Sequence, residues 1–350
     1  MKKLFCIFML IAMVVCAGEW TGNATFGHQY LKNDGAISES TDYLYLDLSF
    51  VEKINSDFSV GASLSSGGAD PRDPYQELSG EFTTKSFNLN EAYFTYDFRY
   101  EGNSSLHFVG GKFSKNLTSV SQLMWDEDLT FEGWGLGTES LVDGNMVYIN
   151  TGLYRLDEFA ATKDDPQLAV AQLGTSGFKY GLEYDLFVTS YGFDNIKGRA
   201  PLAWSTGTNT LDVLGNYLYD YDAVEFGGVF TKPLNDGTEI GFIGNWVKNA
   251  DSDDKAYLLG VLYGDPDVDT KGEWRLMVSK QKIEADALMD CFVNSNFHSG
   301  TTNAKGVELD FIYGMGKDVV FDFNYTKSTD NEAIVPVDQT QWRTELLINF

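Results

Sequence analysis

The sequence is poor in residues that build disulfides and metal centres and in those that interrupt regular structure, with 3 cysteines, 3 histidines and 7 prolines among 350 residues. Cys6 and Cys16 lie in an N-terminal stretch that we expect to be removed, so Cys291 stands alone in the mature chain. A single cysteine excludes an intramolecular disulfide. One cysteine with three histidines also disfavours a zinc site. We therefore predict no metal and no cofactor.

Basic residues are scarce as well, with 25 lysines and arginines against 51 aspartates and glutamates and a formal net charge of −26. This balance disfavours nucleic acid as a partner, because binding to phosphates requires clustered positive charge. The excess of acid has two other uses, which the charge alone does not distinguish. It keeps a soluble protein dispersed, or it biases an aqueous pore towards cations.

Long apolar runs are absent after the first residues. Two lysines precede an apolar run at residues 4–15, which has the length of a signal-peptide core and is too short to cross a bilayer as a helix. We predict cleavage after Ala17 or Gly18, so that residues 1–17 are a signal peptide and residues 18–350 are the exported protein. No later window offers the roughly 20 apolar residues that a transmembrane helix needs.

Glycine and aromatic residues are abundant, with 35 Gly, 25 Phe, 19 Tyr and 7 Trp. They occur in stretches where apolar and polar residues alternate, as expected for strands with two different faces. In residues 342–350, the apolar positions from Trp342 to Phe350 share one face, and Arg343 and Glu345 share the other. Alternation that ends on a terminal aromatic residue is typical of the closing strand of an outer-membrane β-barrel.

A soluble β-sandwich also alternates, so the length of the strands has to distinguish the two architectures. Most alternating windows here span nine or more residues, which suits tilted membrane strands of about 9–11 residues better than sandwich strands of about 5–6. The connections also alternate between short turns and long loops, as in membrane barrels. We predict an all-β protein, a single transmembrane antiparallel β-barrel with short periplasmic turns and long external loops.

The alternating windows number seventeen, whereas bacterial single-chain barrels have an even number of strands. The windows are 20–31, 42–52, 57–66, 87–99, 105–114, 133–141, 145–156, 167–175, 178–190, 209–219, 222–232, 238–248, 255–263, 272–282, 305–315, 318–328 and 340–350. Long loops must also lie at one end of the barrel. Both conditions are met if window 209–219 belongs to the preceding external loop and the next strand starts near Tyr217. We therefore predict about 16 strands, with residues 191–222 as the least determined segment.

Several motifs resemble the bacterial putative porin family. They are Gly111-Lys112-Phe113 followed by WDEDLTFEG at residues 125–133, the pattern GEW…IEADA…TTNAKG at residues 272–306, NYLYDYD at residues 216–222, and the closing Phe350. The resemblance spans nearly all of the mature chain. It implies a trimer-prone outer-membrane channel, general or cation-preferring, in contact with outer-membrane lipid and lipopolysaccharide. It also implies that Phe350 is the signal recognised by the barrel-assembly machinery.

The loop at residues 115–132 mixes apolar and acidic residues, so we expect it to fold into the lumen rather than into solvent. Its apolar members Leu123, Met124, Trp125 and Phe131 would pack against the wall. Its acidic members, Asp126, Glu127, Asp128 and Glu132, would line a constriction and favour cations. The alternative is that these acids are solvated residues of a surface loop.

Charged residues on the polar faces of strands are expected to point into the lumen. The basic ones are Arg99, Lys179, Arg275 and Arg343, and the acidic ones include Glu183 and Asp310. Opposed bases and acids would create a transverse field across the pore. The bases could equally neutralise neighbouring acids such as Glu183 and Glu345.

Catalysis is not indicated, because His28, His107 and His298 form no Ser-His or Asp-His pair that spacing reveals. We predict a porin of the bacterial outer membrane that is not an enzyme and that passes small hydrophilic solutes and ions by passive diffusion, with a preference for cations. One alternative is a structural or adhesive barrel with a plugged lumen and partner-binding loops. Another, a lipid hydrolase, would require a histidine that converges with serine or aspartate at one rim of the barrel.

Overall fold

The computed structural model describes residues 18–68, 70–80, 82–99, 104–158, 164–331 and 336–350. The predicted signal peptide, residues 1–17, lies outside them. None of the described residues belongs to a helix that is long and apolar enough to cross a membrane.

The described regular structure consists of β-strands. They are β1 (Glu19–Asn33), β2 (Glu39–Lys53), β3 (Phe58–Ser66), β4 (Gln76–Glu77), β5 (Phe87–Arg99), β6 (Ser104–Ser114), β7 (Thr130–Val142), β8 (Asn145–Arg155), β9 (Gln167–Lys179), β10 (Leu182–Asp194), β11 (Ala223–Pro233), β12 (Glu239–Asn249), β13 (Lys255–Gly264), β14 (Trp274–Ile283), β15 (Ala304–Gly316), β16 (Val319–Asp330) and β17 (Asp338–Asn349). All except the two-residue β4 are long enough to form the wall of a barrel.

The long strands close into a ring. Each pairs antiparallel with the next, and β1 pairs with both β2 and β17. Phe26 of β1 lies opposite Leu44 on one side and Leu346 on the other. Within the described residues this gives a closed barrel of 16 strands, as predicted. A sandwich is ruled out because its two sheets would have free edges.

The extra window at 209–219 is part of a loop, as the strand count required, and contains only an isolated bridge between Leu211 and Tyr217. The expectation that the next strand starts near Tyr217 was wrong, because β11 begins at Ala223. Asp212 explains why the window does not form a strand. Its carboxylate accepts hydrogen bonds from the backbone amides of Leu214 and Asn216, which closes a turn in the middle of the apparent strand. The aromatic residues around it pack inside the loop.

The two faces of the wall differ as a membrane barrel requires. Large apolar side chains are exposed on the outer face, including Phe26 and Trp134, each 53% exposed. The inner face carries polar residues such as Gln172 and Asn245, which are buried by the loops that fold inward. This inversion, apolar outside and polar inside, fits a wall with lipid on one side and an aqueous interior on the other.

The long loops lie at one end of the barrel, here called the long-loop end. The opposite end has short turns and is called the short-turn end. Three long loops fold into the barrel: residues 115–129, 195–222 and 284–303. Their apolar side chains join one cluster with inward residues of the wall, which includes Leu123, Ile196, Tyr217, Leu288, Val293, Leu168, Tyr191 and Val247. The lumen is therefore shaped by loops as much as by strands.

Candidate functional site: the narrow section of the lumen

The loop at residues 115–129 packs on the inner wall as expected from its apolar content. The indole of Trp125 is 3% exposed and its Nε1 donates a hydrogen bond to the hydroxyl of Tyr191 at 3.3 Å. The ring of Phe131 lies 5.0 Å from the indole, centroid to centroid. Leu123 and Met124 are also buried. These contacts fix the loop against the inner wall.

Asp126 is not a free carboxylate of the pore, contrary to expectation. Its side chain is 1% exposed and accepts hydrogen bonds from the backbone amides of Ser295, at 2.7 Å, and Asp128, at 2.9 Å. The Asp126 amide donates to the carbonyl of Phe292 at 2.8 Å. Burial raises the pKa of Asp126, and the two amides oppose that shift. Asp126 therefore joins this loop to the loop at residues 284–303.

Glu127 and Asp128 are the two acids of the loop that reach the lumen. Glu127 is exposed and Asp128 is half-buried. Burial among surrounding groups nevertheless raises the pKa of both, and Arg343 of β17 opposes the shift in both cases. Asp126 adds to the increase in pKa at each site, and Glu127 adds to the increase at Asp128. Water reaches these carboxylates in a space that protein closely surrounds.

Glu132 is not brought together with the other three acids. The loop ends sooner than expected, since β7 begins at Thr130. Alternation along β7 then points Phe131 towards the loop and Glu132 to the outer face. There its carboxylate lies 3.0 Å from the Lys112 ammonium. A strand boundary that the sequence pattern did not reveal accounts for the error.

Opposite the loop tip, β15, β16 and β17 carry a group of inward acids that we call the carboxylate wall: Glu308, Asp310, Asp322 and Glu345. The register places Glu345 opposite Asp322 and Arg343 opposite Asn324. Arg343 is the base among these acids, with its Nη1 3.7 Å from Glu345 Oε1. The Tyr43 hydroxyl donates to the same carboxylate oxygen at 2.6 Å.

The sequence candidates Asp310 and Arg343 therefore lie together, and Glu308 and Asp322 complete the group. Asn324 Nδ2 donates to Glu308 Oε1 at 2.5 Å. Asp322 was not singled out from the sequence, although it occupies a polar position of its strand. Only the register between neighbouring strands shows that the four carboxylates form one surface.

The other predicted lumen charges are dispersed. Arg99 lines a cavity of about 1030 Å³ towards the short-turn end. Arg275 points inward near the same end and its Nε donates to the Asp265 carbonyl at 3.0 Å. Glu183 is exposed near the start of β10 and has the inward parity of Asp185, which lines the same cavity as Arg99. None of these three lies at the loop tip.

Lys179 points outward, contrary to expectation. The inward positions of β9 alternate through Leu168, Gln172 and Ser176, so Lys179 has the opposite parity. Its ammonium lies 5.3 Å from the centre of the Tyr180 ring. The pattern of polar residues predicted the wrong orientation for Lys179, because the inner face of β9 packs against loops and is partly apolar.

The loops that carry Arg72 and Asn209 form a polar network with the loop at residues 284–303, which the sequence did not predict. Arg72 donates to the carbonyls of Asp290 and Trp204, at 2.8 and 3.0 Å. Asn209 donates to the carbonyl of Leu288 at 2.8 Å. Cys291, whose role the sequence left open, is 2% exposed and packs in the same region, where burial raises the pKa of its thiol. The apolar run around Cys291 was the available signal for an inward-folded loop.

Each histidine contacts an aspartate on another segment or strand. His28 Nδ1 lies 2.6 Å from Asp42, His107 Nδ1 lies 2.5 Å from Asp97, and His298 Nε2 lies 3.1 Å from Asp330. His107 faces the lumen cavity, whereas His298 is buried and its Nδ1 contacts Ser328 at 2.8 Å. Sequence spacing did not reveal these pairs because they form across the sheet or between a loop and the wall.

A closed barrel of this size with an apolar outer face and a lumen narrowed by an inward loop defines a porin-type protein. The chain belongs to the family described as "Putative porin", whose model matches residues 43–213 and 208–342. This membership and the fold indicate a channel of the bacterial outer membrane.

Solved structures support the same fold at low sequence identity. OprB of Pseudomonas putida matches with a TM-score of 0.62 at 10% identity, covering 98% of this chain and 96% of that one. Two variants of the Rhodopseudomonas blastica porin each match with a TM-score of 0.50, at 12% and 13% identity, covering 95% of this chain and 100% of theirs. No curated protein sequence matches the chain at a significant level.

Proposed function

We propose that the protein is a passive diffusion channel for small hydrophilic solutes and ions that prefers cations. The observation that carries the proposal is the position of Glu127 and Asp128, which face the lumen opposite the carboxylate wall. Arg343 supplies one positive charge within this group. Lys115 is a base beside the loop acids, where it lowers the pKa of Glu127. With Arg343 and Lys115 counted, acids still outnumber bases on both sides of the narrow section.

The narrow section strengthens each of these charges. Two unit charges 4 Å apart interact by about 1 kcal/mol in water and by about 4 kcal/mol at an effective dielectric constant of about 20. A cation that passes Glu127 is therefore favoured more than it would be beside the same carboxylate in bulk water. An anion is disfavoured by the same field, and both effects weaken as salt increases.

The preference should depend on pH. Because the pKa values of Glu127 and Asp128 are raised, both acids take up protons at a higher pH than ordinary carboxylates. Their negative charge is complete above the raised pKa values and is lost as the pH falls through them. The cation preference is expected to fall in the same direction.

Assembly and surroundings follow the same proposal. A cleaved signal peptide at residues 1–17 would direct export, and a homotrimer in contact with lipid and lipopolysaccharide would be the assembled state. The side chain of Phe350 is 63% exposed and is therefore accessible to the barrel-assembly machinery, which supports its role as the assembly signal. Its backbone pairs with Gly22, at 2.8 and 2.9 Å, so the aromatic end also closes the barrel.

A second candidate is a structural or adhesive barrel whose lumen is plugged. The loops at residues 195–222 and 284–303 favour it, because they fill the interior beside β9 to β14. Reconstitution into a planar bilayer distinguishes the two functions. A channel gives discrete conductance steps and, in a potassium chloride gradient, a reversal potential of the sign expected for cations. A plugged barrel inserts without conductance.

A further inference from the structure

A second group of side chains lies on the outer face of the barrel, far from the lumen. On β1 and β2, the register places His28 opposite Asp42 and Tyr30 opposite Ser40. The Ser40 hydroxyl oxygen lies 3.1 Å from His28 Nε2, and His28 Nδ1 lies 2.6 Å from Asp42 Oδ1. We define Ser40, His28 and Asp42 as the outer trio.

A neutral imidazole accounts for both contacts. With its proton on Nδ1, neutral His28 donates to the Asp42 carboxylate and accepts the Ser40 hydroxyl at Nε2. This is the chain of contacts in which a histidine acts as general base for a serine nucleophile while a carboxylate orients the ring. His28 is 37% exposed on its side chain and Ser40 is exposed, so an external molecule can reach the pair.

The height of the outer trio is the second observation. The outward positions of β1 run from Trp20 through Phe26 to His28 and then Tyr30. The eight residue-to-residue steps from Trp20 to His28 span about 26 Å along a strand, or roughly 20 Å in height at a tilt of about 40°. The apolar outer band of such barrels is about 25 Å tall and ends at aromatic residues. The outer trio therefore lies near the boundary of that band.

Aromatic neighbours mark the same boundary. The ring of Trp342 lies 5.3 Å from the His28 ring and 5.7 Å from the Tyr30 ring, centroid to centroid. Tryptophan and tyrosine concentrate where acyl chains meet polar headgroups. The carboxyl esters of membrane lipids lie at this level, so the side chains of the outer trio and the lipid esters share one plane.

We propose that Ser40, His28 and Asp42 form an esterase site for acyl esters of membrane lipids at the long-loop end. Ser40 Oγ attacks the ester carbonyl carbon while its proton passes to His28 Nε2. The acyl C–O bond breaks, and the leaving alcohol takes the proton from His28. Water then attacks the acyl-serine, His28 accepts a proton from it and returns that proton to Ser40 Oγ, and the acid is released.

A serine-directed fluorophosphonate tests the nucleophile without requiring the natural lipid. The refolded full barrel is incubated with the probe in detergent, digested, and analysed by mass spectrometry. We expect labelling of Ser40 that falls at least tenfold in His28→Ala, since general-base assistance contributes about 10²–10⁴-fold. Ser38→Ala is the matched control, because Ser38 lies two residues away and outside the outer trio. It should leave labelling of Ser40 unchanged.

Hydrolysis of a short-chain p-nitrophenyl ester and of a phospholipid in mixed micelles supplies the second readout. Activity should be lost in both Ser40→Ala and His28→Ala and kept in Ser38→Ala. Heat-modifiable migration and single-channel conductance check that each variant still forms the barrel. Failure of the esterase proposal would leave conductance intact, so it is distinguishable from failure of the channel proposal. Equal labelling of Ser40 in the native and His28→Ala proteins, or unchanged hydrolysis in Ser40→Ala, would overturn the inference.

Discussion

Glu127 and Asp128 can be replaced separately from Asp126. We expect the first replacement to change ion selectivity and the second to change the structure of the loop. The double variant Glu127→Gln, Asp128→Asn keeps side-chain size and removes two charges that face the lumen. If each carboxylate acts on a passing cation at roughly 7 Å with an effective dielectric constant of about 20, it contributes about 2 kcal/mol before screening. Salt at 0.1 M screens charges over about 10 Å, which lowers this value.

We expect the double variant to shift the reversal potential in a tenfold potassium chloride gradient towards zero, with the largest shift at low ionic strength. Glu132→Gln is the matched control, because Glu132 is an acid close in sequence that lies on the outer face beside Lys112. It should leave the reversal potential unchanged. An equal shift in the control, or none in the double variant at any salt concentration, would refute the assignment of the narrow section.

Asp126→Asn should behave differently from the double variant. It weakens charge-assisted hydrogen bonds to Ser295 and Asp128, a loss of about 2 kcal/mol. We expect noisier open-channel current and easier proteolysis of the loop, with a smaller change in selectivity. A quiet channel with strongly altered selectivity would place Asp126 in the conducting path instead.

Three further results are expected. Cation preference should decline as the pH falls through the raised pKa values of Glu127 and Asp128, measured as reversal potential against pH, and a pH-independent value would contradict their role. Arg343→Gln should increase cation preference in the same measurement, because it removes the base of the carboxylate wall. Lys179→Gln, on the outer face, is the control and should leave the preference unchanged; equal effects would contradict the assigned orientations. Deletion of Phe350 should lower outer-membrane yield and increase periplasmic degradation, measured by fractionation and immunoblotting, and unchanged yield under strong expression would count against an assembly signal.

The architecture was largely predictable because period-two alternation depends on local sequence. Lipid outside and water inside impose that alternation on every strand, so the strand windows followed from it. Their number followed only when the even strand count and the placement of the long loops at one end were added. The turn at Asp212 also has a local cause, although it is the strand count and the placement of the long loops that assign that window to a loop from the sequence. The start of the next strand was misplaced because Tyr217 and Tyr221 look like strand residues but pack in the loop.

The site was predictable only in part, because it depends on register and on contacts between distant loops. The inward fold of the 115–129 loop followed from its apolar residues. The separate positions of Asp126, Glu127 and Glu132 did not, since they depend on the Ser295 amide and on where β7 begins. Lys179 shows a related limit. Polarity indicates the lumen face only where that face is wet, and the inner face of β9 is covered by loops.

A loop inside a barrel lacks the regular pairing of a strand, so side chains supply part of the hydrogen bonding that its backbone needs. Asp126 accepts from the Ser295 amide, Arg72 donates to the Asp290 carbonyl, and Asn209 donates to the Leu288 carbonyl. All three contacts converge on the loop at residues 284–303. That loop therefore connects the loop at residues 115–129 with the loop at residues 195–222. Its contacts with Asp126 also hold the neighbouring Glu127 and Asp128 in place. A carboxylate held in place by such a network needs little reorganisation as an ion passes, which is the condition under which a few charges can set selectivity.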